Sequence, residues 1–231
     1  KTKVIIYSHY LCLLSDYFSQ NSSVCSFRNA ESWVVLTPIE LSIKQKIEAI
    51  GTPLKDWDVQ INYGIKTGFN DAFIIDGKKR AELITADPKS AEIIRPILRG
   101  RDIKRYSYEF VDLWLIYIPW HFPLHKTQNI QGASLEAEDA FRAEYPLIYN
   151  HLCKFKEQLS ARNQSETGVR YEWYALQRYG SNYMDDFNKQ KILWAETMRI
   201  KRGSNERFPR FTWTDQNILT ILINRKSYGL S

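Results

Sequence analysis

Two basic, glycine-centred bends inside residues 61–106, INYGIKTGFNDAFIIDGKKRAELITADPKSAEIIRPILRGRDIKRY, constrain this chain more than any other feature. Glycine reaches backbone conformations closed to other residues and lets a main chain approach a ligand closely. In the first bend, Gly64-Ile65-Lys66-Thr67-Gly68-Phe69-Asn70, backbone amides stand beside a lysine charge, with Thr67 and Asn70 as neutral hydrogen-bonding groups. The second, residues 98–106, sets Arg99, Arg101, Lys104 and Arg105 around Gly100. Both suit phosphate, and an arginine can also grip a guanine edge through two hydrogen bonds. The plain structural alternatives are a hairpin turn for the first and a solvated turn with an internal Arg–Asp pair for the second. The first bend lacks the Lys-Ser/Thr ending and glycine spacing of a nucleotide-binding P-loop, which argues against ATP.

A formal net charge of +6 with 14% aromatic residues suits a partner that offers both phosphates and base faces. Cys12, Cys25 and Cys153 are odd in number and widely spaced, which fits neither a disulfide framework nor a C-x-x-C metal knuckle and points to a reducing cytoplasm. His121 and His125 stand four apart, but Pro123 lies between them and no carboxylate or cysteine is near in sequence, so no metal site is expected. No run is long and apolar enough to cross a bilayer. The absence of an initiating Met and the end at Gly229-Leu230-Ser231 fit a piece of a longer protein.

Thr37-Pro38-Ile39-Glu40 is a capping box with proline in the first turn, and it predicts a helix through Ile50 closed by Gly51. Residues 59–63 alternate like a strand, and with residues 72–75 they predict a hairpin around the first bend, followed by a tight turn at Asp76-Gly77. Asp87-Pro88 starts a short helix stopped by Pro96. Further strands are expected near residues 4–7, 114–118, 192–195, 211–214 and 218–223, and helices over 134–145 and 146–159, the latter ended by ARNQSETG.

Between two of these strands, residues 198–210 carry Arg199, Lys201, Arg202, Arg207 and Arg210 against one acid, Glu206, which makes a loop able to follow a DNA backbone or enter a groove. In residues 171–178, Trp173 and Leu176 read as core, while Arg178 and the Tyr174 hydroxyl are candidates for phosphate. Asp71 with Asp76-Gly77-Lys78 imitates the acids and lysine of metal-dependent nucleases, but in a hairpin turn these side chains face solvent. There is no Asn/Asp-Pro-Pro-Tyr/Phe tetrapeptide and no glycine-rich turn with an acidic partner for S-adenosylmethionine.

Taken in order, YGIKTGFN, AFIID, LRGRDI, the helix start Tyr145-Pro146 and the element Trp173-Tyr174-x-Leu176-x-Arg178 resemble the TaqI-like C-terminal specificity domain over residues 40–225. That domain is the DNA target-recognition module of adenine-specific methyltransferases and of combined restriction–modification enzymes. The resemblance implies a mixed α/β (α+β) fold, a curved and mostly antiparallel sheet flanked by helices. Residues 1–36 would then link to a preceding methyltransferase region, and residues 37–231 would form the target-recognition domain. It implies double-stranded DNA as partner, beside the methyltransferase domain upstream in the same polypeptide, with no membrane and a cytoplasmic location. It implies no catalytic residue, metal or cofactor in this stretch, S-adenosylmethionine belonging to the catalytic domain of a bacterial parent, alone or fused to an endonuclease. On this basis Lys66, Arg99, Lys104, Arg105, Lys201 and Arg202 anchor phosphates, joined by Arg178. Thr67, Asn70, Arg101 and the 199–210 loop from Arg199 onward read base edges. The rival reading is a protein-interaction module of a phage-defence assembly whose basic face takes an acidic partner.

Overall fold

In the computed structural model, residues 2–5, 14–25, 35–166, 171–195 and 210–221 are described, and the chain divides into two units, Lys1–Ile61 and Asn62–Ser231. In the first unit, β1 (Thr2–Ile5) pairs antiparallel with β2 (Ser22–Cys25), with α1 (Leu14–Asn21) between them in sequence. The helix expected from the capping box is α2 (Pro38–Ile50): Glu40 Oε2 accepts from the Thr37 amide at 2.8 Å, and the Thr37 hydroxyl accepts from the Glu40 amide at 3.3 Å. Gly51 closes it, donating to Ile47 O at 2.7 Å. Its apolar side chains, Ile39, Leu41, Ile43, Ile47 and Ile50, are all exposed.

The second unit is mixed α/β. Its sheet runs β3 (Ile74–Asp76), β5 (Leu113–Ile116), β4 (Ile94–Leu98), β8 (Leu219–Thr220); the first two junctions are antiparallel and the last is parallel. A proline in a central strand removes a ladder donor. Pro96 is tolerated because it sits opposite Trp114, one residue before β8 begins to pair at Ile97. Helices α5 (Leu135–Glu144), α6 (Pro146–Cys153) and α7 (Lys156–Glu166) follow, and Phe141, Ile148, Leu152 and Leu159 from them join Ile65, Phe73, Ile97, Leu115 and Leu219 in one core. Outside the sheet, β6 (Lys191–Trp194) and β7 (Phe211–Thr214) form an antiparallel ribbon.

Several expectations fail, each for a local reason. Residues 59–63 form no strand, and the hairpin around the first bend does not exist. Asn70–Phe73 is instead a helical turn, α3, so the would-be partner strand begins only at Ile74. Asp76-Gly77 is no tight turn either: the Asp76 carboxylate accepts from the Lys79 amide at 2.7 Å and caps α4 (Gly77–Ala86). The segment after Asp87 is a 3-10 turn, Pro88–Ile93. Residues 146–159 break into α6 and α7, and 161–166, expected to break the helix, continue α7 because Leu159 and Arg162 bury its inner face.

Candidate nucleic-acid interface

The first bend is fixed by partners remote in sequence. Ile65 donates to Thr220 O at 2.7 Å and pairs in parallel with Ile221, while Lys66 exchanges backbone hydrogen bonds with Arg178 at 3.0 and 2.9 Å. Because β4 is also parallel to β8, the chain at 65–66, the segment at 219–221 and β4 all point one way. Both basic bends therefore leave the sheet at the same end, beyond the carboxyl ends of parallel strands, which is where open α/β sheets bind ligands.

At that end Asn70 of the first bend and Asp71, which follows it, meet Arg99 and Arg101 from the second around a cavity of about 390 Å³, with Ile74, Leu113 and Ile221 as apolar lining. Asn70 is oriented by a neighbour in its own bend, since the Thr67 hydroxyl donates to its Oδ1 at 2.6 Å. Thr67, expected to touch a base directly, is itself buried, with its hydroxyl turned to Asn70. Asn70 Oδ1 keeps a second lone pair and its Nδ2 remains a donor, the pair of groups that reads the adenine edge.

In the second bend Asp102 is the organising group. Its Oδ2 accepts from the Arg99 amide at 2.9 Å and from Arg99 Nε at 2.8 Å, and its Oδ1 accepts from Arg99 Nη2 at 2.8 Å. Burial works to raise the Asp102 carboxyl, but the Arg99 guanidinium and amide outweigh it and hold the group below its ordinary value. Arg99 is thus committed to Asp102 within the turn, while Arg101 is exposed. Lys104 Nζ donates to Arg101 O at 3.0 Å, and Arg105 is exposed and pairs through its backbone with Phe211.

Two buried arginines, neither of them expected in this role from the sequence, support the bends from beneath. Arg162 donates from Nη1 to Thr67 O, and from Nη2 to Ala175 O at 2.7 Å and Trp173 O at 3.1 Å. Its position after Phe155 and Leu159, at helical spacing on the buried face, was the available signal. Arg210 donates from Nη2 to Gly100 O at 2.6 Å and from Nε to Ile103 O at 3.0 Å. The end of the basic loop is therefore a strut, and base reading is not open to this residue.

Of the remaining expected contacts, Lys66, Lys104, Arg105 and Arg178 lie outside the cavity lining, Arg178 being exposed. Arg199, Lys201 and Arg202 fall outside the described residues. The Tyr174 hydroxyl is corrected as a phosphate ligand: it is buried and donates to Phe122 O at 2.9 Å. His121 does meet a carboxylate, since Glu172 accepts from its amide at 2.7 Å and lies 2.9 Å from Nδ1, but among the described residues no group of three or more His, Cys, Asp or Glu could hold a metal ion. Among those residues, too, no helix is long and apolar enough to cross a membrane.

No family model matches the chain. It is 26% identical over 161 residues, 69% of its own length and 46% of the relative's, to the type II methyltransferase M.MjaIV of Methanocaldococcus jannaschii. The chain spans less than half the length of that curated relative, to which it bears a distant likeness.

Proposed function

We propose that this chain is the duplex-reading part of a type II restriction–modification methyltransferase that modifies adenine, methyl transfer being the work of a catalytic domain in the same polypeptide. The observation that carries the reading is the parallel register that brings Asn70, Arg99 and Arg101 to one cavity at the carboxyl ends of the strands. The distant likeness to a type II methyltransferase supports it, as does the order of motifs shared with TaqI-like specificity domains.

On this reading the exposed cations Arg105 and Arg178, with Lys104, meet the phosphates of a double helix and set its register, and Arg199, Lys201 and Arg202 of the basic loop join them. Asn70 reads an adenine and Arg101 a guanine at the cavity mouth, each pairing contributing about 1–3 kcal/mol of discrimination. Asp71 suits the amino group of cytosine. S-adenosylmethionine does not fit the first glycine bend. Gly64 lies against the backbone of Thr220 and Ile221, and the space beside Gly68 is filled by Arg162, so neither forms an open cradle. The cofactor belongs to the catalytic domain.

Selection of bound duplexes from a randomised pool, followed by anisotropy titrations across salt concentrations, tests the proposal. Enrichment of a short motif and a linear fall of log affinity with log salt, at about 0.9 per phosphate contact, are expected. No enrichment and an affinity indifferent to salt would overturn it, and an acidic protein partner that cognate duplex fails to displace would point to a protein-interaction module instead.

A further inference from the structure

The β6–β7 ribbon turns two unlike faces outward and inward. Leu193 and Thr212 are buried, and Leu193 packs with Leu98, Ile103 and Ile218. On the opposite face the cross-strand register sets Trp194 beside Phe211 and Ile192 beside Trp213. Trp194 is 47% exposed and Trp213 57% exposed. The second basic bend adds a further ring: Tyr106, 59% exposed, lies edge-on to Phe211 at a centroid distance of 5.1 Å.

Tyr106 stands there at a conformational cost. Its φ of +66° is a left-handed backbone, rare and strained for a bulky residue. The bend is held in place by the Tyr106 amide donating to Phe211 O at 2.8 Å. Burial does not offset the strain, because the ring stays in solvent. Charge lies directly on this surface: the Arg105 guanidinium sits 5.1 Å from the Tyr106 ring centroid, with Lys104 and Arg101 on the same bend. Flat aromatic faces joined to cations bind unpaired nucleobases, since every base has a stackable face and a phosphate beside it.

We propose that Tyr106, Trp194, Phe211 and Trp213 form a stacking platform for unpaired bases of the DNA. The inference rests on the duplex-reading function above and adds a second element to it: the bends take the double helix, and the ribbon takes bases displaced from it.

Anisotropy titrations with two labelled DNAs, an intact duplex and the same duplex carrying a central unpaired bulge, test the platform directly. Wild-type protein is expected to bind the bulged DNA about tenfold tighter. Trp213→Ala is expected to remove that preference while leaving intact-duplex affinity unchanged, and Trp213→Tyr to keep most of it. Equal wild-type affinity for the two DNAs overturns the platform, needs no variant, and leaves the duplex reading standing. Binding to neither DNA overturns both. Preference for the bulged DNA in Trp213→Ala as strong as in the wild type also overturns the platform. So does a sedimenting dimer that Trp213→Ala dissolves, which would give the face to a second copy of the chain.

Discussion

Arg162 fills the space that a side chain on Gly68 would need: a Cβ there would overlap Arg162 Cδ, and Gly68 adopts φ +80°. The first basic bend is therefore shaped by a buried guanidinium as much as by its own glycines. The same group donates to Thr67 O, and Thr67 in turn orients Asn70, so a chain of contacts runs from α7 to the cavity.

Gly68→Ala combines an unfavourable backbone conformation with a steric overlap against a buried side chain. We expect a loss of about 3 kcal/mol in denaturant unfolding and weakened duplex binding. A midpoint within experimental error of the wild type would show that Arg162 can move aside freely.

The two arginines flanking Gly100 should separate stability from binding. Arg99 makes two charged hydrogen bonds to a buried carboxylate, so Arg99→Ala is expected to lower stability by about 2–3 kcal/mol. Arg101 is exposed at the cavity, so Arg101→Ala should change stability by less than about 0.5 kcal/mol. It should weaken duplex binding about tenfold and relax preference at one base pair. Unfolding curves and titrations on the same samples check the contrast, and a reversal of the two roles would refute the assignment.

His151 gives the fold a pH dependence of defined sign. Burial lowers its pKa, with Lys79 and Lys154 acting the same way against the Ala72 carbonyl, which its Nε2 meets at 3.0 Å, and Glu82. A depressed folded-state pKa means that the unfolded chain binds the proton more readily. Stability is then full above the ordinary histidine value of about 6.5 and falls as pH drops below it toward the folded-state value. Burial lowers His125 in the same direction. Melting temperature should therefore fall between about pH 7 and pH 5, and His151→Gln should flatten the slope. An unchanged slope in that variant would remove His151 from the account.

What the sequence made legible was local chemistry. The capping box at Thr37 and Glu40 needs only residues three apart, and the structure contains both of its hydrogen bonds. The strands around residues 192 and 212 carry alternating burial, and the one around residue 114 is a short apolar run, both of which a short window detects. The first bend misled because its partners are far away. Ile65 and Lys66 extend a sheet through Ile221 and Arg178, and no alternation in residues 59–75 signals that. Nor could a local reading distinguish the exposed Arg101 from the committed Arg99 or the buried Arg210, since charge alone does not report which carbonyl or carboxylate folding brings within reach.

Arg210 makes this distinction testable. It belongs to the most basic segment of the chain, yet its guanidinium bridges Gly100 O and Ile103 O within the second bend. A lysine carries the same charge but lacks the planar fork needed to span two carbonyls. If Arg210 acts as a strut, Arg210→Lys should destabilise the protein by about 1–3 kcal/mol and speed amide exchange in residues 100–106. Because the charge is kept, the salt dependence of duplex binding should not change, while preference among duplex sequences should weaken as Arg101 loses its fixed position. If Arg210 instead met phosphate, the lysine would preserve stability and exchange protection, and Arg210→Met would reduce the salt slope by about one.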